Sequence, residues 1–102
     1  MSAPAQQFAL AQIEPGTLGV SGSLTFATAA DALKAIMGAV DGAGAPARLD
    51  LAGVQRSDSA GLACVLAVLS EASSRGRRLS VANVPANMRI LAQVCEVDAL
   101  LA

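Results

Sequence analysis

Residues 55 to 69 read QRSDSAGLACVLAVL, and the order of their side chains decides how the rest of the chain is read. A polar stretch closes on Asp58-Ser59, whose side-chain oxygens can accept hydrogen bonds from the free N–H groups of a first helical turn. Gly61 follows, and an uncharged apolar run then continues to Ser70. A helix is therefore expected from roughly Ser59 to Arg75, where Gly76 supplies the left-handed residue that commonly stops a helix and Arg75, Arg77 and Arg78 meet the negative end of its dipole.

Working outward, Ala47 to Val54 forms a short strand, with Leu49 and Leu51 on one face and Asp50 on the other. Downstream, LSVANV reads as another strand, and Pro85 can open a last helix carrying Met88, Leu91, Ala92 and Cys95 on one face. Upstream, QFALAQIEPGTLGVSGSL reads as two strands around Glu14-Pro15-Gly16-Thr17, with proline where a turn wants a fixed negative φ and glycine where it wants a positive one. Thr28 can cap a first helix in which Leu33, Ile36, Met37 and Val40 recur at helical spacing, ended by the run from Gly42 to Pro46. The order ββαβαβα predicts an α/β domain, a mixed sheet of four or five strands covered by helices, over residues 8–102, with residues 1–7 as a flexible tail.

Composition narrows the chemistry. The 102 residues are 54% hydrophobic and 15% charged, a lean polar surface that predicts apolar area covered by a partner. Seven basic and eight acidic residues leave a net charge of −1, with no field to draw in nucleic acid or an acidic membrane. Histidine, tryptophan and tyrosine are absent and there is one lysine, which removes histidine bases and ligands and the aromatic platforms that stack on bases. Cys64 and Cys95 form no CxxC pair, so both are read as small core residues of a reducing compartment, and neither a metal nor a cofactor is expected.

The start, MSAPAQQ, has no basic and apolar signal character, and the stretch from Ser59 to Ser70 is too short to cross a bilayer that needs about 20 residues. A cytoplasmic protein without direct membrane insertion is the expectation.

The second helix carries the partner reading. At about 100° per residue, Leu62, Val65, Leu66 and Leu69 fall on one face, assigned to the core. Opposite them lie Ala60, Ala63, Cys64, Ala67, Ser70, Glu71 and Ser74, a face of small residues that lets another helix approach closely. A docking face beginning at Ser59 would leave the isolated protein inclined to homodimerise; an alanine-rich sequence would give the same stripe without a partner. Gly61 in the first turn costs about 1 kcal/mol relative to alanine in a helix interior, which implies close approach by another backbone, from a neighbouring strand or from a partner. Asp50 and Asp58 could form a carboxylate pair, but without a histidine base or a phosphate-binding glycine loop an enzyme is not expected; both are assigned to ordering the loop that presents Ser59.

The run DLAGVQRSDSAGLACVLAVL followed by RGRRLSVANVPANMRILAQV closely resembles a STAS domain. The family signature, a strand with an acidic and a hydrophobic residue, a loop, then Asp-Ser-Ser/Ala/Thr-Gly-Leu opening a helix, is matched here by Asp50-Leu51 and by Asp58-Ser59-Ala60-Gly61-Leu62. The resemblance extends over roughly residues 8 to 100. Two branches of the family bear on the chain's role, beside other roles that STAS domains have. In anti-sigma-factor antagonists the motif serine, Ser59 here, is phosphorylated by a kinase that is also the anti-sigma factor. In Mla-type phospholipid ABC transporters, which maintain outer-membrane lipid asymmetry, a single-domain STAS subunit binds the ATPase subunit at the inner face of the inner membrane. The segment RSDSAGLACVLAVLSEASSRGRRL, the NVP before the last helix and the ending VDALLA resemble the transporter branch. Thr25 stands where antagonists often carry an acidic residue, which argues against the phosphoswitch. The resemblance thus implies an adaptor that contacts an ATPase through Asp58, Ser59, Ala60, Gly61, Ala63, Cys64 and Ala67.

Overall fold

The computed structural model describes residues 7–42 and 44–101. Strands β1 (Phe8–Glu14) and β2 (Thr17–Leu24) pair antiparallel around the expected turn, where Gly16 has φ +84°. Helix α1 (Ala29–Asp41) leads to β3 (Arg48–Ser57), which pairs parallel with β2; α2 (Ser59–Ser74) leads to β4 (Ser80–Ala82), parallel to β3. Helix α3 (Ala86–Val94) and a 3₁₀ turn (Asp98–Leu101) follow. The four strands lie in the order β1-β2-β3-β4, and the expected element order holds. All but the last residue of the expected tail lie outside the described residues.

Both crossovers, β2-α1-β3 and β3-α2-β4, step the same way along the sheet, so their usual right-handedness puts α1 and α2 on one face. Burial agrees: Leu18, Val20 and Leu24 of β2 and Leu49, Leu51 and Val54 of β3 are buried beneath Ile36, Met37 and Val40 of α1 and Val65 and Val68 of α2. The other face shows Ala9, Ala11, Ile13, Ser21, Ala52 and Gly53 to solvent. The fold is thus two layers rather than a sheet covered on both sides. Each fully buried Leu, Ile or Val contributes about 1.5–3 kcal/mol, and the core forms one contiguous cluster from Leu18 to Leu101.

Three local expectations are corrected. Thr28 holds the cap position of α1, but its hydroxyl turns away from the helix, accepting from Thr25 N (3.0 Å) and donating to Ser23 O (2.8 Å). The strand expected over LSVANV stops at Ala82, because Asn83 adopts a left-handed conformation, φ +57°. Cys95 follows the last residue of α3 and is exposed rather than in the core, since the chain turns at Glu96 (φ +61°) to bring Val97 back against the cluster. The end of α2 is as expected: Arg77 N bonds Ala72 O and Gly76 N bonds Ser73 O around a left-handed Gly76, the paired bonds of a Schellman stop.

Candidate functional site

Strand β3 ends at Ser57, and α2 begins two residues later, so Asp58 and Ser59 sit at the C-terminal edge of the sheet, where the helix offers its free N–H groups. Asp58 is the N-cap, with an extended backbone that lets Oδ1 accept from Gly61 N at 3.0 Å. Its other oxygen, Oδ2, accepts from the backbone N–H of Phe26 at 3.1 Å, tying the β2–α1 loop to the start of α2. Partial burial pushes this carboxyl's pKa up, but the N–H donors of Phe26, Gly61, Ala60 and Asp58 itself outweigh it, holding the acid below the ordinary aspartate range. Both carboxylate oxygens are therefore committed, and Ser59, the first helical residue, is left exposed beside them.

From the far side the loop is pinned by α3. Ser57 Oγ donates to Asn87 Oδ1 (3.0 Å), and Asn87 Nδ2 donates to the carbonyl of Ser57 (2.9 Å). Two long-range anchors, Phe26 and Asn87, so hold the ends of a corner whose hydroxyl is free to meet another molecule.

Gly61 is buried, and its role is decided within the monomer. A Cβ built there would lie 2.0 Å from the carbonyl oxygen of Leu24, so the close backbone that the glycine implied is the end of β2. Cys64 is corrected likewise: it is buried at 4% exposure and cannot line a docking face. Burial pushes its thiol pKa up. The buried stripe of α2 runs through Gly61, Leu62, Cys64, Val65, Val68 and Ala72, because α1 and α3 flank the helix as well as the sheet beneath it. What stays outward is a narrower ridge, Ser59, Ala63, Ser70 and Ser74, with Ala60 and Ala67 half-buried along its sides.

Asp50 is displaced from the role assigned to it. Its Oδ1 accepts from Ala52 N at 2.8 Å and from Asn83 Nδ2 at 3.0 Å, so it fastens β3 to the end of β4 rather than ordering the Ser59 loop. The Asn83 amide and then the Ala52 N–H hold its pKa below the usual range. Asp58 lies eight positions further along an extended chain, roughly 25 Å away, so the two carboxylates form no pair. A cleft of about 240 Å³, lined by Gln12, Gly16, Thr17, Ala39, Gly42 and Pro46 among others, opens at the turn end of the sheet, away from Ser59.

Phe26 was not anticipated. It is 86% exposed, and its only sequence signal is an aromatic ring within the small, polar run Thr25-Phe26-Ala27-Thr28.

Comparison with known proteins adds to this geometry. A family model described as "Mlab, STAS domain" matches residues 10–102. No curated protein sequence matches. Among solved structures, an anti-sigma factor antagonist from Mycobacterium paratuberculosis is 27% identical with a TM-score of 0.69, over 98% of this chain and 86% of that one. The Bacillus cell fate determinant SpoIIAA in its phosphorylated form gives 21% and 0.64, over 91% and 86%. A sulfate transporter family protein from Wolinella succinogenes gives 18% and 0.62, over 84% and 70%. The last two share the fold. With the Asp58–Leu62 motif at the start of α2, a mixed four-stranded sheet and a family match over nearly all its length, the chain belongs to the STAS domain family.

Proposed function

We propose that this chain is a non-catalytic cytoplasmic adaptor that binds and stabilises the ATPase subunit of a phospholipid ABC transporter maintaining outer-membrane lipid asymmetry. The observation that carries the reading is the family match over residues 10–102, whose description is that of the Mla branch. The site is compatible with it: a rigid corner with an exposed Ser59 continues into the small outward residues of α2, and Asp58, Ala60 and Ala67 border that contact. Gly61 serves it indirectly, by seating the helix against β2. The chain reaches the inner face of the inner membrane through its partner; among the described residues no helix is long and apolar enough to cross a membrane.

The test is co-purification with the ATPase subunit. Ser59→Arg and Ala63→Glu, both on exposed positions, should leave the isolated fold intact and abolish co-purification. Unchanged recovery of the ATPase with both variants removes the reading.

A second reading, an anti-sigma-factor antagonist, is supported by the 27% identical antagonist structure. A phosphate on Ser59 would sit at the helix N-terminus, whose N–H groups favour it, and add about −1.5 to −2 charges beside Asp58, repelling any partner that buries this corner. Incubation with an anti-sigma kinase and ATP would then phosphorylate Ser59 and release the partner; an unmodified intact mass removes that alternative.

A further inference from the structure

Among the described residues, Phe26 is the most exposed of five outward-facing large hydrophobics, at 86%, whereas the other phenylalanine, Phe8, packs against the core cluster. The loop that carries it is ordered at both ends. Thr28 Oγ1 accepts from Thr25 N and donates to Ser23 O, Ala29 N bonds Thr25 O at 2.8 Å, and Phe26 N is held by Asp58 Oδ2. Every one of these bonds uses the backbone of residue 26 or other residues altogether. The turn needs an N–H at this position, and serine or asparagine would provide it without leaving a phenyl ring in water. The ring therefore has no work to do within the monomer.

We infer that Phe26 is the aromatic anchor of the adaptor interface, its ring entering an apolar pocket on the ATPase subunit next to the seat of Ser59. The inference rests on the adaptor reading above and adds to it the residue expected to carry most of the affinity. Three observations select a protein pocket as the occupant. The backbone N–H of residue 26 is bonded to Asp58, the neighbour of Ser59, which puts the exposed ring at the same end of the sheet as the Ser59 corner. The loop itself, Ser23 to Ala30, carries no basic residue and is bonded to the carboxylate of Asp58, which disfavours a phosphate-bearing surface. A rigidly displayed aromatic loses little conformational freedom on burial, and such residues at the centre of an interface dominate its affinity.

The experiment measures the affinity of the full chain for the ATPase subunit from the same genome by biolayer interferometry, with wild type, Phe26→Ala, Phe26→Leu and Ser59→Arg. Phe26→Ala is expected to weaken binding by about 30-fold or more and Phe26→Leu by about fivefold or less, because leucine still fills an apolar pocket. Thermal melting of Phe26→Ala should match wild type, since the ring is exposed. If Phe26→Ala binds within about threefold of wild type while Ser59→Arg abolishes binding, the anchor is wrong and the adaptor reading survives. If wild type itself fails to bind the ATPase, the adaptor reading fails, and the anchor assigned to that subunit falls with it.

Discussion

Asp58 does two jobs with one carboxylate, capping α2 through Gly61 N and holding the β2–α1 loop through Phe26 N. Asp58→Ala should cost about 1–2 kcal/mol of stability, the ordinary worth of a helix cap, read as a shift in urea midpoint. Its pKa and that of Asp50 are lower in the folded state than in the unfolded chain. The stability they confer is therefore complete above the unfolded carboxyl value of about 3.9 and is lost as pH falls through the lowered folded values. The gap in midpoint between wild type and Asp58→Ala should accordingly narrow between about pH 5 and pH 2; a gap that widens on acidification contradicts the assignment. Gly61→Ala offers a sharper test. Helix propensity alone predicts a gain of about 1 kcal/mol, but the added Cβ would press on the Leu24 carbonyl, and a net loss of about 1–3 kcal/mol is expected by denaturant titration. At this scale the capping role of Asp58 was legible because its partner Gly61 is three residues away, whereas the Asp50–Asn83 and Asp58–Phe26 bonds span more than thirty residues and leave no local pattern.

Among elements, α2 shows where periodicity stops being informative. The helix is apolar or small around most of its circumference, so counting 100° per residue could not tell which apolar stripe the core would take. The packing of α1 and α3 on either side decides it, burying Cys64 and Val68 and leaving Ala63 outside. Thiol chemistry reads the difference directly. Cys95, exposed beyond the end of α3, should react promptly with Ellman's reagent under native conditions; Cys64, buried and with its thiol pKa pushed up, should react only on unfolding. Two equally fast thiols would mean that α2 is not seated as described. The hairpin and the core stripe of α1, by contrast, were readable, since Pro15-Gly16 specifies the turn and Ile36, Met37 and Val40 have charged residues to contrast with them, although the side-chain cap expected of Thr28 was not made.

Taken whole, the molecule is a two-layer fold, and the uncovered sheet face explains how it can remain so. The residues there are mostly alanine, glycine and serine, so little apolar area is left in water despite the hydrophobic composition. Ala52→Lys on this face should change stability by no more than about 0.5 kcal/mol, whereas Leu51→Ala, one residue along β3 but pointing into the core, should cost about 2–5 kcal/mol in the same denaturant assay. The architecture was foreseeable from the alternation of strands and helices; that only one face would carry helices was not drawn from the element order, although both crossovers step in one direction. The contact between Gly61 and the Leu24 carbonyl has a kinetic consequence. A helix tip wedged so tightly against the end of a strand cannot slide or rotate to suit an incoming surface, so encounter should proceed as a rigid-body collision: one exponential phase whose rate climbs linearly with concentration, with no slow rearrangement behind it.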